Sequence, residues 1–597
     1  MKIKNILSAA VIASLGSLGL ASCTDLDEVT FDRIDASIYY QNEGSVKGAV
    51  ASIYSSAASG FLEYFWYLNE FSADQIAWRT WNGGAWGYDE AEKFVLSTQT
   101  WNSESKIIRS AWEHAWETIG LCNTLLADLN AINPGSIGMT EEGIKSYIAE
   151  VRTMRAWAYY NNFELWGGAL PLCTDAGGNI PGSADADFNT GCKVIWQFIV
   201  DELDACYQDL PAEDGSNATR TRLNQGMNRM LKMRMLLNSE LWTGVDKYAE
   251  CATLCEELIS GTYGQYQLAA EYQDNFASTN YTCPELVFGF AQEDGKITNN
   301  NRNTPFFSYN YGDILGGTWS ASGWNCTCLA PSYDNSGTIL PLGGSENPKS
   351  FVYDYGDKLG AVWDRMADSD VRKGPFVYDP ATGKTRGMFL MGEQYSLLDN
   401  SPIPADADRD GQHLCYVDQV GTFLGLGRAL EPVMSPRWGE TNSGYRPVKY
   451  AIYPESTGID WRNTAEVEFR FAEVYYTLAE CRMRAGNAGA AKDLVNDVRK
   501  RAISASKDLE NPGANFTAFD MDWMLSQWGI EFLNEGRRRR TDLRRFDKFT
   551  QGQWWFFGRA TETDRQLPAK RDRKYEWFPL PSTALMVNPG LVQNPNY

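Results

Sequence analysis

The sequence predicts a mainly α protein: a curved body of antiparallel, tetratricopeptide-like helix pairs, interrupted by a loop-rich irregular insertion. Three observations predict it. Long segments with apolar residues at helical spacing follow one another with only short Gly, Asn and Asp punctuation. One late segment carries the large-and-small spacing of a tetratricopeptide hairpin. Between the two, residues 263–459 change to Gly, Asn, Pro and Tyr with short apolar runs and no sustained period.

In chain order, Lys2 and Lys4 precede an almost uncharged run from residue 6 to 20, followed by Ala21-Ser22-Cys23. A basic start, a short apolar core and small residues before a cysteine make residues 1–22 a lipoprotein-type secretory signal. The apolar run is shorter than the ~20 residues a spanning helix needs. Cys23 is then the lipidated first residue, and residues 23–40 are a polar tether opening Thr24-Asp25-Leu26-Asp27-Glu28. The helical body is expected over 41–262 and 460–597, on either side of the insertion.

Residues 46–59 read as the first helix. Residues 61–89 are the most aromatic stretch, and from Ala73 onward the helical period breaks at Asn82-Gly83-Gly84 and Gly87, which predicts a loop. Residues 106–129, 144–166, 194–210, 223–242 and 247–259 continue the helical pattern, and helices are expected to resume at Ala465. Tyr475, Leu478 and Ala479, a break at Gly486, then Ala491, Val495 and Val498 match a tetratricopeptide hairpin. Small Ala479 and Ala491 let two helices approach closely while the large residues fill the gap. Arg482 stands where that pattern prefers an aromatic, and no proline closes the repeat.

Length and composition narrow the function classes. A chain of 597 residues can bury a large core, and length alone suggests two or more domains. The net charge is −22, and removing Lys2 and Lys4 with the signal makes it −24. Such acidity repels polyanions and argues against nucleic acid, anionic lipid surfaces and sulfated glycans as main partners. The 21 Trp and 30 Tyr exceed what a core usually needs, and carbohydrate binders use that surplus on the surface; the alternative is Trp as core filler. Of 12 cysteines, Cys23 leaves an odd eleven with no framework spacing. Cys251, Cys255, Cys326 and Cys328 read as buried apolar thiols. His114 and His413 are the only histidines, which disfavours a zinc site or a Ser-His-Asp arrangement.

Glu468-Phe-Arg-Phe-Ala-Glu-Val-Tyr475, Leu478-Ala-Glu480, Leu494-Val-Asn-Asp-Val-Arg-Lys-Arg-Ala502 and Glu531-Phe-Leu-Asn-Glu-Gly-Arg537 through Asp542-Leu-Arg-Arg545 occur in that order. The chain ends Phe578-Pro-Leu-Pro581, then Asn588-Pro-Gly-Leu-Val-Gln-Asn-Pro-Asn-Tyr597. With the lipid cysteine, this resembles the SusD/RagB family of outer-membrane nutrient-binding lipoproteins over the whole chain; Asn596 stands where that family more often has glycine. The resemblance implies a SusD-like α/α superhelix as one unit, a variable insertion, and an anchored position facing the cell exterior. It also implies a SusC-like TonB-dependent barrel as partner, glycan fragments or in some members peptides as cargo, and no enzymatic activity. The arginines among 537–545, which resemble a nucleic-acid patch, are structural in that family. Here the surplus of carboxylates supplies partners for bidentate pairs.

A sugar ring presents a face of C–H groups that suits a flat indole, and hydroxyls that need groups able to donate and accept. Trp81 and Trp86 are candidate platforms, with Asp74, Arg79 and Asn82 as candidate hydroxyl partners; Trp78 and Tyr88 share that loop. Family members also place binding aromatics in the later insertion, which offers Asn300, Asn301, Arg302, Tyr309, Tyr311, Trp319 and Trp324. Core packing is the alternative for each aromatic. If peptides are the cargo, the Trp loop is a pocket for apolar side chains. A glycoside hydrolase needs two carboxylates at a set separation, and no catalytic motif stands out. The run Trp554-Trp-Phe-Phe557 packs in the core or faces the barrel.

No cofactor is expected beyond a structural calcium ion. Asp406-Ala-Asp408-Arg-Asp410-Gly-Gln412 has the acids and the sixth-position glycine of a calcium loop. The twelfth-position glutamate is absent, with Val417 there and Asp418 adjacent, so the other reading is a solvated acidic loop. Bound calcium would stiffen the insertion. A chelator should then lower the Tm measured by differential scanning fluorimetry, and an unchanged Tm counts against the metal.

Overall fold

The computed structural model of the protein describes residues 39–78, 92–177, 181–293, 296, 324–329, 358–359, 362–403, 414–416, 445–513, 516–536, 538–554 and 571–597. The first helix, α1 (Glu43–Gly60), starts at Asn42, whose side chain accepts from Ser45 N–H at 3.2 Å while Ser45 Oγ accepts from the Asn42 N–H. This reciprocal cap satisfies two otherwise orphaned donors. Val46, Val50, Ile53 and Ala57 recur at helical spacing and are buried. A π-helical turn over Phe61–Phe65 leads into α2 (Trp66–Glu70). A short strand, β1 (Ile76–Trp78), and a short helix, α3 (Phe94–Thr98), follow.

The body continues with α4 (Lys106–Ala131), α5 (Glu141–Trp166), α6 (Phe188–Cys206), α7 (Gln225–Leu237), α8 (Ser239–Thr243) and α9 (Tyr248–Ile259). Thr140, Asp187 and Asn224 cap α5, α6 and α7 with side-chain oxygens. Helix α4 packs on α5, α5 on α6, and α7 on α9, so sequence neighbours are spatial neighbours. Every residue of α5 from Thr153 to Trp166 is buried, Arg155 and Glu164 included. A helix buried all round is the core about which the others pack. Its end meets α6 closely: a Cβ on Gly168 would lie 1.9 Å from the Phe188 carbonyl oxygen, and one on Gly191 2.3 Å from that of Gly168. No residue larger than glycine fits this crossing.

After β2 (Leu286–Phe290) and β3 (Thr327–Leu329), most described strands up to residue 447 form small antiparallel ladders, while Lys358–Leu359 pairs parallel with Gln553–Trp554. Val377–Asp379 pairs with Lys384–Arg386, and Phe389–Leu390 with Arg446–Pro447. Phe376, Leu390, Ile403, Tyr416 and Ile452 enclose a second, smaller core there.

Helices were expected from Ala465, but Glu466–Arg470 is a strand, β4, antiparallel to β2. Charged Glu466, Glu468 and Arg470 alternate with Val467 and Phe469, a period-two pattern that favours extended backbone. The helices are α10 (Ala472–Arg484), α11 (Ala488–Arg499), α12 (Met521–Glu531) and α13 (Arg539–Arg545). Helices α10 and α11 form the expected hairpin, with Ala479, Ala491, Val495 and Val498 all buried. Arg482, in the position that prefers an aromatic, pairs with Glu256 on α9. Ten of the described cysteines are free thiols, nine of them buried. No described helix is long and apolar enough to cross a membrane.

Charge is buried in quantity, and it is paired. Glu531 at the end of α12 takes Arg372 at 2.6 Å, Arg470 at 2.7 Å and Arg501 at 2.7 Å. Arg470 also binds Glu285 and Glu535, and Lys449 reaches Glu535 at 2.7 Å. A second group joins Arg234 to Glu473 and Glu468, and Arg538 to Glu473. A third joins Arg545 to Glu480 and Asp542. The expectation of bidentate pairs holds for Arg539 and Arg545 but not for all of the arginine run. Arg540 and Arg544 donate to the carbonyls of Glu164, Tyr575 and Glu576 and lie over the rings of Phe578 and Trp577.

Burial alone would raise these carboxyls, but the facing guanidiniums outweigh it. Glu531 is held well below its ordinary range, and Glu473 and Glu480 are each lowered to about 2 from 4.5. A carboxylate with a depressed folded pKa gives stability that is complete above its unfolded pKa and disappears as pH falls through the folded one. The Tm should therefore fall steeply between about pH 4.5 and pH 2, and a flat thermal-melt profile across that window would refute the ion-network account. Glu531→Gln removes the carboxylate that Arg372, Arg470 and Arg501 share, although Asp370, Glu285 and Glu535 still face them, and should cost roughly 3 kcal/mol in denaturant unfolding.

Candidate ligand site

The chain leading into the aromatic loop is clamped from below. Asp74 accepts from Arg539 Nε at 2.7 Å and from its terminal nitrogen at 2.8 Å, a bidentate pair. Gln75 Nε2 donates to the Gly529 carbonyl at 3.0 Å, where a Cβ on Gly529 would approach that nitrogen to 2.5 Å. Both contacts tie residues before β1 to α12 and α13. The Trp78 N–H donates to Ser97 Oγ on α3 at 2.8 Å.

β1 pairs antiparallel with β3, with Ile76 opposite Leu329 and Trp78 opposite Thr327. β3 is held in turn by Arg446, which donates to the Thr327 carbonyl at 2.8 Å, and by the Leu329 N–H donating to Tyr445. This register puts the exit toward residues 79–91 and the entry from residues 297–323 at the same end of one ladder. The two stretches in which ligand-binding aromatics were expected thus share a root.

An aromatic cluster occupies that end. Trp78 meets Trp324 edge to face with centroids 6.4 Å apart, and packs on Phe71 at 5.3 Å and Tyr67 at 6.2 Å. Lys93 Nζ lies 4.8 Å from the Trp78 ring, 5.1 Å from Tyr67 and 5.8 Å from Trp324. Trp78 is 1% exposed, whereas Trp324 and Lys93 are half-buried. Burial and nearby Glu63, to which the Tyr67 hydroxyl donates at 3.2 Å, hold that phenol well above its ordinary pKa and therefore neutral. A half-buried indole thus stands beside an ammonium.

Of the candidate residues, the structure places two here. Trp324 is in the cluster and half-buried. Asp74 is 1% exposed with both oxygens on Arg539, so it lies beneath the ladder and not on its surface. Arg79, Trp81, Asn82, Trp86, Asn301, Tyr309 and Trp319 lie outside the described residues, as do Asp406, Asp408, Asp410, Gln412, Cys23 and the run after Trp554. Among the described residues no group of three metal-ligating side chains gathers. Sequence reasoning missed Lys93, which carries no periodic signal. It also missed a cleft of ≈ 700 Å³ between α1, α5 and the end of β2, lined by Tyr54, Tyr147, Glu150, Arg222 and Phe290. There Glu150 is raised by burial, although Arg222 and Tyr54 bond to it. The cleft shares no lining residue with the aromatic cluster.

The fold is a helical scaffold that carries a half-buried aromatic cluster beside the β1–β3 ladder. Residues 284–597 match the SusD family, and the chain belongs to that family; it is a binding protein and not an enzyme. The starch-binding protein SusD of Bacteroides thetaiotaomicron is 23% identical over 619 residues, covering 100% of this chain and 99% of that one. Among solved structures, a SusD-like protein from Bacteroides fragilis NCTC 9343 superposes with a TM-score of 0.61 at 19% identity, over 94% of this chain and 99% of its own. Surface glycan-binding protein A from Bacteroides thetaiotaomicron gives 0.61 at 15% identity, over 94% and 100%. At these identities the structural likeness establishes the fold.

Asp74→Asn should leave Arg539 buried beside a neutral amide. Denaturant unfolding should show a loss of roughly 3 kcal/mol, and the near-UV circular dichroism of the Trp78 and Trp324 cluster should weaken. An unchanged spectrum would show that the clamp does not position the cluster.

Proposed function

We propose that this protein is a cell-surface glycan-binding lipoprotein that captures oligosaccharide or polysaccharide and passes it to a SusC-like TonB-dependent outer-membrane transporter. The observation that carries the reading is the β1–β3 ladder, which roots both expected binding loops beside one aromatic cluster. The whole-length likeness to a protein named for starch binding supports glycan as the ligand class. In this reading Trp324, Trp81 and Trp86 are stacking platforms, and Arg79, Asn82, Asn301, Tyr309, Trp319 and Lys93 meet hydroxyls. Asp74 acts from below, by holding the strand. Cys23 anchors the chain in the outer membrane, and residues 406–412 hold calcium where it stiffens the insertion.

A net charge of −22 favours neutral glycans, because the summed field repels acidic ones at a distance. Titrating the protein against neutral and acidic polysaccharides and a peptide digest tests this, with Trp324→Ala and Trp81→Ala alongside. A neutral glycan should bind, and each substitution should weaken it about tenfold, the value of one aromatic contact. Binding of peptide alone would transfer the cargo to oligopeptides, and glycan binding untouched by either substitution would remove the cluster from the site.

A further inference from the structure

Arg499, the last residue of α11, is 5% exposed and lines a cavity of ≈ 210 Å³. The cavity lies between the end of α11, Gln527 and Ile530 of α12, residues 365–373 of the insertion and residues 507–516. A guanidinium has five N–H donors. The Arg499 side chain uses two of them, one on Asn496 Oδ1 at 3.0 Å and one on the Asp508 carbonyl at 3.2 Å. Both acceptors are neutral, so the cost of taking this charge out of water is not offset by an ion pair.

The carboxylates that line the same cavity are engaged elsewhere. Asp370 takes Arg372 through both of its oxygens, at 2.9 and 2.7 Å. Asp368 takes Lys373 at 2.9 Å, and Asp508 accepts from Ser369 Oγ at 2.5 Å. Arg372, Arg470 and Arg501 differ from Arg499 in this respect. They are buried too, yet the carboxylates that they face raise them above the ordinary arginine pKa. Burial lowers Arg499 instead, and Tyr476, Asp370 and Asp508 do not make up for it.

We propose that this cavity binds a small organic carboxylate, with the Arg499 guanidinium donating to its oxygens. A planar carboxylate matches two parallel N–H donors of a guanidinium and supplies the missing counter-charge, which a neutral hydroxyl or amide cannot do. The remaining lining suits a carbon body: Met366, Phe516 and Ile530 are apolar, and Gln527 can both donate and accept. Lys507 lines the cavity and is exposed. With Arg365, Lys373 and Arg499 it makes four cationic side chains against three carboxylates. In a chain of net charge −22, that local excess attracts an anion that the molecule as a whole repels. The cavity shares no residue with the aromatic cluster around Trp78 and Trp324.

Isothermal titration calorimetry of the full chain tests this with propionate, benzoate and glucuronate, beside propionamide, benzamide, glucose and inorganic phosphate. At least one carboxylate should bind at a single site with a Kd of about 1 mM or tighter, and its neutral counterpart at least about tenfold more weakly. Arg499→Lys keeps the charge and loses the fork, so it should weaken the carboxylate about tenfold. Ala367→Trp, which fills the cavity from a half-buried lining position, should abolish binding. Lys507→Glu should weaken it several-fold with an unchanged Tm, because that side chain is exposed. Trp324→Ala should leave it intact, which separates this cavity from the glycan site. A neutral counterpart that binds equally well, binding of phosphate alone, binding that survives Ala367→Trp, or no carboxylate bound at that concentration would each overturn the proposal. None of these outcomes would touch the glycan-binding reading.

Discussion

Glu531 is the point through which most of the tertiary structure is held. Its carboxylate takes guanidiniums from three separate parts of the chain: Arg372 in the insertion, Arg470 on β4 and Arg501 beyond α11. Through Arg470 the network reaches Glu285 ahead of β2 and Glu535 beyond α12, and through Glu535 it reaches Lys449. A buried charge that loses its partner costs several kcal/mol, so every compact arrangement except the native one is penalised at several positions at once. The apolar core around α5 supplies most of the favourable free energy. What the ion network contributes is a unique way to assemble it.

That constraint reaches the ligand site. Helix α12 bears Glu531 at one end and accepts Gln75 at Gly529, and α13 brings Arg539 under Asp74. The short β1 strand is therefore fixed by the same helices that close the core, and Trp78, Trp324 and Lys93 stand on a rigid base. Loops carry recognition in many folds because they vary freely, but they need supports that do not. Here the support is a buried ion pair and a three-residue ladder. Lys449, wholly buried and pushed down to about 8 by burial despite Glu535, shows that the protein accepts an energetic penalty to hold the insertion against the body.

Much of the fold was legible because helices announce themselves locally. The apolar spacing of α4, α5 and α9 marked them to within a few residues, and Ala479 with Ala491 marked the α10–α11 crossing. Where the reading failed, a buried charge was responsible. In β4 the alternation of Glu466, Val467, Glu468, Phe469 and Arg470 was present, but all five positions are buried, and Glu468 and Arg470, of the kind that usually marks a solvent face, pair with Arg234 and Glu531. Asp74 misled in the same way. A charged residue in an aromatic loop reads as a ligand contact until its counter-ion is known, and Arg539 is 465 residues away.

The sequence by itself determined the helical body, the family and the stretches rich in binding-type side chains. These follow from composition, short-range periodicity and ordered motifs, all of which a linear chain displays. Only the tertiary structure decided that Trp78 faces Thr327, that Trp324 shares a cluster with Lys93, and that Asp74 lies below the site. The pairing of β1 with β3 joins segments about 250 residues apart. It is set by burial and register across the whole fold, so no local spacing encodes it.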